Sequence, residues 1–196
     1  KAGYSAPVLR AELLVLIVCG VSMALGVVLT RVVIGYGHRN ELLDSPGGFG
    51  HEKALRAVPN IGGIAIFASI VLPLASLMVW SIVGSQHELA VALRADAGVV
   101  LVLMLAILAL HTLGVVDDRL PLPALPKLAA MALVATVPVA LLDIRLLTFL
   151  DAQPGGVLLS TLLSIAWILA ITNAINFLDN MDGVCAGLSA IIASVL

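Results

Sequence analysis

Charge is what this sequence has least of. Lys, Arg, Asp and Glu together make 11% of its 196 residues, where a soluble domain carries about 25%. That excludes an ordinary water-soluble globule. Ten basic and twelve acidic residues leave a net charge of −2. With no basic surplus to draw a polyanion, nucleic acid is not an expected partner. Aromatic residues are also scarce, at 4%, so no interfacial aromatic belts can be drawn. The only cysteines, Cys19 and Cys185, lack zinc-ligand spacing. Both lie in apolar segments and read as inert buried thiols. No internal repeat, low-complexity segment or soluble domain stands out.

What is abundant is apolar: 61% of residues, with a mean hydropathy of +1.16. A helix rises ~1.5 Å per residue and the hydrocarbon core is ~30 Å thick, so about 20 apolar residues cross it. Five runs read as spans: residues 13–34, 61–83 with Pro73, 98–116, the somewhat short 127–142 with Pro138, and 157–177. A sixth begins at Val184 and is cut off at Leu196. The first run is too long for a signal-peptide core and reads as a mature span. The expected fold class is therefore an all-α polytopic membrane protein, about five full transmembrane helices plus a truncated sixth. Residues 1–196 are expected to form a single integral membrane domain. A chain that starts at Lys1 and stops inside an apolar run reads as a fragment.

Polar loops should fill 35–60, 84–97 and 143–156. Residues 120–126, Leu-Pro-Leu-Pro-Ala-Leu-Pro, should form a stiff non-helical connector, because proline lacks an N–H and restricts its predecessor. Crossing parity puts the loop 35–60, the connector and residues 178–183 on one face. Arg31, Arg39, Lys53, Arg56, Arg119 and Lys127 lie on that face; Lys1, Arg10, Arg94 and Arg145 lie on the other. Six against four places the first face in the cytoplasm.

Two clusters on that face carry chemistry. One is Asn173-Ala-Ile-Asn176-Phe-Leu-Asp179-Asn180-Met-Asp182-Gly183. Residues three or four apart share a helix face, so its amides and carboxylates form a polar stripe. If the helix breaks at Asn180, the last of them line a turn instead. Hard oxygen donors of this kind suit Mg²⁺. A plain turn with Asp182 capping the next helix would explain Asp182 but not Asn173, Asn176 and Asp179. The other cluster is Asp117-Asp118, ending the third span. Acids at a helix C-terminus oppose the macrodipole, which counts against a solvated helix end as the whole account. Near them, Lys127 either snorkels or holds a phosphate. Lys53 and His51 read as ordinary positive-inside charges or as anion ligands. His111 reads as a satisfied buried histidine. Together the clusters suit Mg²⁺-assisted phosphoryl transfer, where positioning and charge neutralisation dominate.

Asp117-Asp118-Arg119, Lys127 and Asn-Ala-Ile-Asn-Phe-Leu-Asp-Asn-Met-Asp-Gly resemble the polyprenyl-phosphate N-acetylhexosamine-1-phosphate transferases, glycosyltransferase family 4. Asp44-Ser-Pro46 and Pro59-Asn-Ile-Gly62-Gly63 are similar to that family's first cytoplasmic loop and second span. The resemblance implies transfer of a sugar 1-phosphate from a UDP-sugar to polyprenyl (undecaprenyl) phosphate, releasing UMP, with Mg²⁺ or Mn²⁺. It implies a bacterial inner membrane protein, active on the cytoplasmic face, that starts cell-envelope polysaccharide synthesis. It implies Asp117, Asp118 and Asp179 as catalytic residues, and Lys53, Lys127, Asn173 and Asp182 as substrate contacts. Asn176, Asp179 and Asp117 become metal ligands, and a homodimer is left open. Pro59-Asn60-Ile61 departs from the Pro-Thr-Met of the phospho-MurNAc-pentapeptide branch, so the GlcNAc branch is the expectation and that branch the alternative. The family's roughly ten spans imply that this is an amino-terminal portion, inactive alone. A transporter would place its acids at mid-span, and a CDP-alcohol phosphotransferase would carry one dense acidic motif. The sequence shows neither.

Overall fold

The structure is a computed structural model that describes residues 6–40, 62–84, 87–120, 122–178 and 183–195, with side chains in the first helix from Leu13 onward. The elements are helical: α1 Ala6–Arg39, α2 Gly62–Ile82, α3 Glu88–Ala95, α4 Ala97–Arg119, α5 Ala124–Leu141, a 3-10 helix Thr148–Ala152, α6 Gly156–Leu178 and α7 Val184–Val195. Among the described residues, α1, α2, α4, α5 and α6 are long and apolar enough to cross a membrane. The expected all-α, multi-pass membrane class is what the structure shows. Large apolar side chains such as Leu16, Leu101 and Leu158 lie exposed along these helices, as lipid-facing surfaces require.

Spans of this kind leave polar side chains no water to bond. Their hydroxyls turn back onto their own helix instead. Thr112 donates to the Leu108 carbonyl at 2.7 Å, Thr136 to Ala132 at 2.8 Å and Thr172 to Ile168 at 2.8 Å.

The chain forms two compact units, Lys1–Met104 with Gly114–Leu120, and Leu105–Leu113 with Pro121–Leu196. In the first, α1 packs on α2 and α2 on α3. The two helices meet at Gly26, where a Cβ would stand in ordinary contact with the Ser69 hydroxyl, 3.4 Å away. Ser81 and Ala90 are buried where α2 meets α3. His87 caps α3, its Nδ1 accepting the Leu89 N–H at 3.3 Å, with the Trp80 ring 5.9 Å away.

In the second unit α5 and α6 form a hairpin. The buried stripe of α5 is Met131, Ala135, Pro138 and Val139, and that of α6 is Gly156, Ser160 and Ser164. Both follow three- and four-residue spacing, one face per helix. Small residues let the backbones close up, which is how helices associate where lipid supplies no hydrophobic drive.

Several boundaries differ from the sequence expectation. The first span continues as helix to Arg39 rather than stopping at Ile34. The third keeps Asp117, Asp118 and Arg119 inside α4, because hydropathy marks where lipid ends, not where hydrogen bonding does. α5 starts at Ala124 and takes Pro126 into its first turn, where an N–H would have no intrahelical partner anyway. The loops at 84–97 and 143–156 contain α3 and the 3-10 helix. Cys19 is exposed and Cys185 half-buried, correcting the reading of both as buried thiols. On a lipid-facing helix an apolar neighbourhood in sequence does not mean burial in protein.

Candidate functional site

α4 carries the acidic pair in its last turn, closed by the Leu120 N–H on the Val116 carbonyl at 2.8 Å. Asp117 is half-buried and Asp118 exposed. Successive helical residues point about 100° apart, so the two carboxylates address different surroundings. Beyond the helix, Pro123 is extended (φ −58°, ψ 144°) and serves as the cap residue of α5. Its carbonyl accepts the Lys127 N–H at 3.2 Å, which sets Lys127 in the first turns of that helix. The lysine is half-buried.

Met131 follows Lys127 by one turn and faces α6. There the Asn173 amide nitrogen donates to the Leu169 carbonyl at 2.8 Å and reaches the Met131 thioether at 4.0 Å. Both partners only accept hydrogen bonds. The NH₂ group is therefore turned inward and the amide oxygen faces away from both. Asn176 follows three residues later and is exposed. The hairpin is antiparallel, so stepping back from Met131 to Lys127 matches stepping forward from Asn173 towards Leu178. One end of the second unit thus gathers Lys127, Asn173 and Asn176. Asp117 and Asp118 end a helix in the first unit. Lys53, Asp179 and Asp182 lie outside the described residues.

Met131 was not singled out from sequence, since a methionine in an apolar run reads as packing. Among the described residues no group of three or more His, Cys, Asp and Glu side chains could hold a metal ion. The donor chemistry present, carboxylate and amide oxygen, fits a hard cation such as Mg²⁺ better than a soft one.

The opposite end of the hairpin holds a second polar cluster that sequence reading treated only as loop charge. Arg145 donates through Nε to Asp143 at 2.6 Å. Its two terminal nitrogens meet the two Asp151 oxygens at 3.0 and 2.9 Å, the bidentate geometry that suits guanidinium. One of them also donates to the Ser160 hydroxyl at 2.8 Å. The hydrogen bond from Arg145, and then its charge, hold the Asp143 carboxyl below its ordinary value. The Asp143 hydrogen bond raises the arginine further. The backbone on either side is left-handed, at Asp143 (φ 55°) and Leu147 (φ 56°).

The family model described as glycosyl transferase family 4 matches residues 99–196, half of the chain. The chain belongs to glycosyl transferase family 4. The matched region of this family 4 chain starts in α4 and takes in Asp117, Asp118, Lys127 and the whole Asn/Asp stretch. Among curated relatives, a probable undecaprenyl-phosphate N-acetylglucosaminyl 1-phosphate transferase of Bacillus subtilis (strain 168) is 29% identical over 144 residues. That covers 72% of this chain and 35% of the relative. A phospho-N-acetylmuramoyl-pentapeptide-transferase of Mycolicibacterium smegmatis is 28% identical, covering 93% of this chain and 55% of the relative. A decaprenyl-phosphate N-acetylglucosaminephosphotransferase of Mycobacterium tuberculosis is 31% identical over 142 residues, covering 69% and 33%. This family 4 chain therefore spans between about a third and about half of the relatives it matches. No solved structure matches it.

Proposed function

We propose that the protein to which this chain contributes transfers a HexNAc 1-phosphate from a UDP-sugar to a polyprenyl phosphate at the cytoplasmic membrane face, releasing UMP. The observation that carries the proposal is the acidic pair kept helical at the end of α4, in a family whose curated relatives are transferases of this kind. Carboxylates at the negative end of a helix dipole are stabilised by a cation, and both substrates are phosphate anions.

An oxygen of the lipid phosphate attacks the β-phosphorus of the UDP-sugar. The bond from that phosphorus to the bridging oxygen breaks, and UMP leaves with the electron pair. A phosphate monoester has a second pKa of about 6, so the acceptor is already ionised at neutral pH. Proton abstraction then contributes little. In this reading Asp117 and Asp118 orient the reacting groups and hold cations. Asp117, Asn176 and Asp179 are the oxygen donors assigned to Mg²⁺, which when bound would neutralise charge on the diphosphate. Lys127 and Lys53 contact phosphate; Asn173, through its outward amide oxygen, and Asp182 contact the nucleotide sugar.

For the donor, the breadth of similarity favours UDP-MurNAc-pentapeptide, since that relative covers 93% of the chain against 72% and 69% for the GlcNAc relatives. It runs against the GlcNAc preference read from Pro59-Asn60-Ile61. The GlcNAc reading keeps the higher identity, 31%. The test is UMP release by the full-length protein with polyprenyl phosphate and either donor, with and without Mg²⁺. Asp117→Asn, Asp118→Asn and Asp179→Asn should each lower turnover by at least about 100-fold, the scale of one lost charge-stabilising group. Full activity in all three would sink the assignment.

A further inference from the structure

The far half of α6 is held by little of its own. The buried residues of this 23-residue helix are Gly156, Ser160 and Ser164, all near its start. From there to Leu178 no α6 side chain is buried among the described residues, yet this half carries Asn173 and Asn176. A polar link to α5 on that half is the weak 4.0 Å approach of Asn173 to Met131. The near half is fastened differently, because two of its three buried residues bond to the α5–α6 connection. The Ser160 hydroxyl accepts from Arg145 at 2.8 Å and donates to Asp151 at 2.8 Å. The Ser164 hydroxyl accepts the Leu146 N–H at 2.7 Å and donates to the Ser160 carbonyl at 2.6 Å.

Arg145 is the hub of that clasp. Its side chain is 11% exposed and that of Asp151 25%, so this pair is largely shielded from solvent. Asp143, at 77% exposed, is the weaker partner, because water screens it. The left-handed backbone at Asp143 and Leu147 is one that residues with a Cβ rarely adopt. It persists only where surrounding contacts over-determine it. A buried ion pair adds little net stability, since desolvation offsets the attraction. What it contributes is geometry: a guanidinium bonded to both oxygens of one carboxylate and to a hydroxyl of the next helix has one place to be. Packing alone specifies that place weakly. Gly156 and the two serines offer no bulky side chain to interlock with α5, and such interlocking is what selects one arrangement from many.

We propose that Arg145 is a positioning residue: through Asp151 and Ser160 it sets the angle of α6 against α5, and with it the place of Asn173 and Asn176 at the other end of the hairpin. The helix acts as a lever. Asn173 lies nine residues beyond Ser164 and Phe177 thirteen, about 13 and 20 Å along the axis. A change of about 10° at the clasp moves them by about 2 and 3 Å. Misplacing a group by about 1 Å can cost about 100-fold in rate. The consequence for turnover rests on the proposed chemistry; the consequence for the helix angle does not.

The test is the distance between spin labels on the two helices, measured by double electron–electron resonance on the full-length protein in bilayer discs. Cys19 and Cys185 are first replaced by serine. Labels are then placed on exposed positions of α5 and α6 through Leu133→Cys and Phe177→Cys. With Arg145 in place the distance distribution should be narrow. Arg145→Gln should shift or widen it by about 3 Å. Asp151→Asn breaks the same pair and should act alike, without adding to it in the double variant. Val139→Ala is the control: it removes buried packing from α5 without touching the clasp, and should leave the distribution narrow at a comparable loss of stability. An unchanged distribution in Arg145→Gln would overturn the proposal. So would equal widening in Val139→Ala, which would make the angle a matter of general packing. Should Arg145→Gln fail to fold, Ser160→Ala keeps the ion pair and cuts its link to α6; it should widen the distribution, and an unchanged one would overturn the proposal equally. Turnover of the unlabelled variants separates the two readings. A widened distribution with unchanged turnover upholds the positioning and removes the substrate roles of Asn173 and Asn176.

Discussion

Replacing Gly156 with alanine should destabilise the α5–α6 hairpin, because among the described glycines it is the one where an added Cβ runs into backbone. A Cβ built at Gly156 overlaps the Leu150 carbonyl oxygen, stands 2.5 Å from its carbon and 3.0 Å from the Asp151 Cα. All three are backbone atoms, so no side-chain rotation relieves the clash. The 3-10 helix must move instead. That segment is fastened by the Gly156 N–H on the Gln153 carbonyl at 2.9 Å and by Asp151 on Arg145 at 2.9 Å. Forcing extra volume into a packed site costs about 1–3 kcal/mol, a factor of roughly 5 to 150 in the folding equilibrium. Gly187→Ala is the matched control, because a Cβ there meets nothing within 4 Å. It should be neutral or gain up to about 1 kcal/mol from improved helix propensity. The assay is reversible unfolding in bilayer discs, read by tryptophan fluorescence. A Gly156→Ala protein as stable as Gly187→Ala would refute the close approach and the fastened loop built on it.

Two further outcomes follow from the same unit. Met131→Leu keeps volume but removes the second acceptor of the Asn173 amide. If Asn173 contacts substrate, KM for the UDP-sugar should rise about 2- to 5-fold, the scale of one weak hydrogen bond, with kcat nearly unchanged; Met131→Gln, which keeps an acceptor, should restore it. Unchanged KM in Met131→Leu would remove any positioning role. For Asp143 the folded carboxyl is depressed by Arg145, so its contribution is complete above the ordinary carboxylate range and is lost as pH falls through the depressed value. The carboxylate is 77% exposed, so the effect is small. Stability should be flat near neutrality and fall in acid, and Asp143→Asn should blunt that fall in a pH series of the same unfolding assay.

The spans were legible because bilayer thickness imposes one length on every crossing, and residues 98–116 or 157–177 meet it by composition alone. Their ends were less legible. Arg39 and Asp117 stay helical because a charged residue that reaches headgroup water need not leave its hydrogen-bonded ladder. α3 has eight residues, too short to announce itself by period. The acidic pair and the Asn/Asp stretch were visible because charges and amides are rare in this chain. The Arg145 cluster was not, since its partners Asp151 and Ser160 lie six and fifteen residues away and only the folded loop brings them together. Met131 carried no signal, because its part depends on which face of α5 meets Asn173.

The length of α1 has a consequence of its own. From Leu13 to Arg39 it is 27 residues of continuous helix, about 40 Å, against a hydrocarbon core of ~30 Å. Upright, it leaves about 10 Å of rod among the headgroups; only a tilt near the limit of the usual range, about 40°, would draw it fully inside. The basic residues of its last turn, His38 and Arg39, stand at that overhanging end, where anionic headgroups attract cationic side chains. Bilayer thickness and anionic lipid content thus become settings of this helix's posture, and thicker or more anionic membranes should hold it more upright.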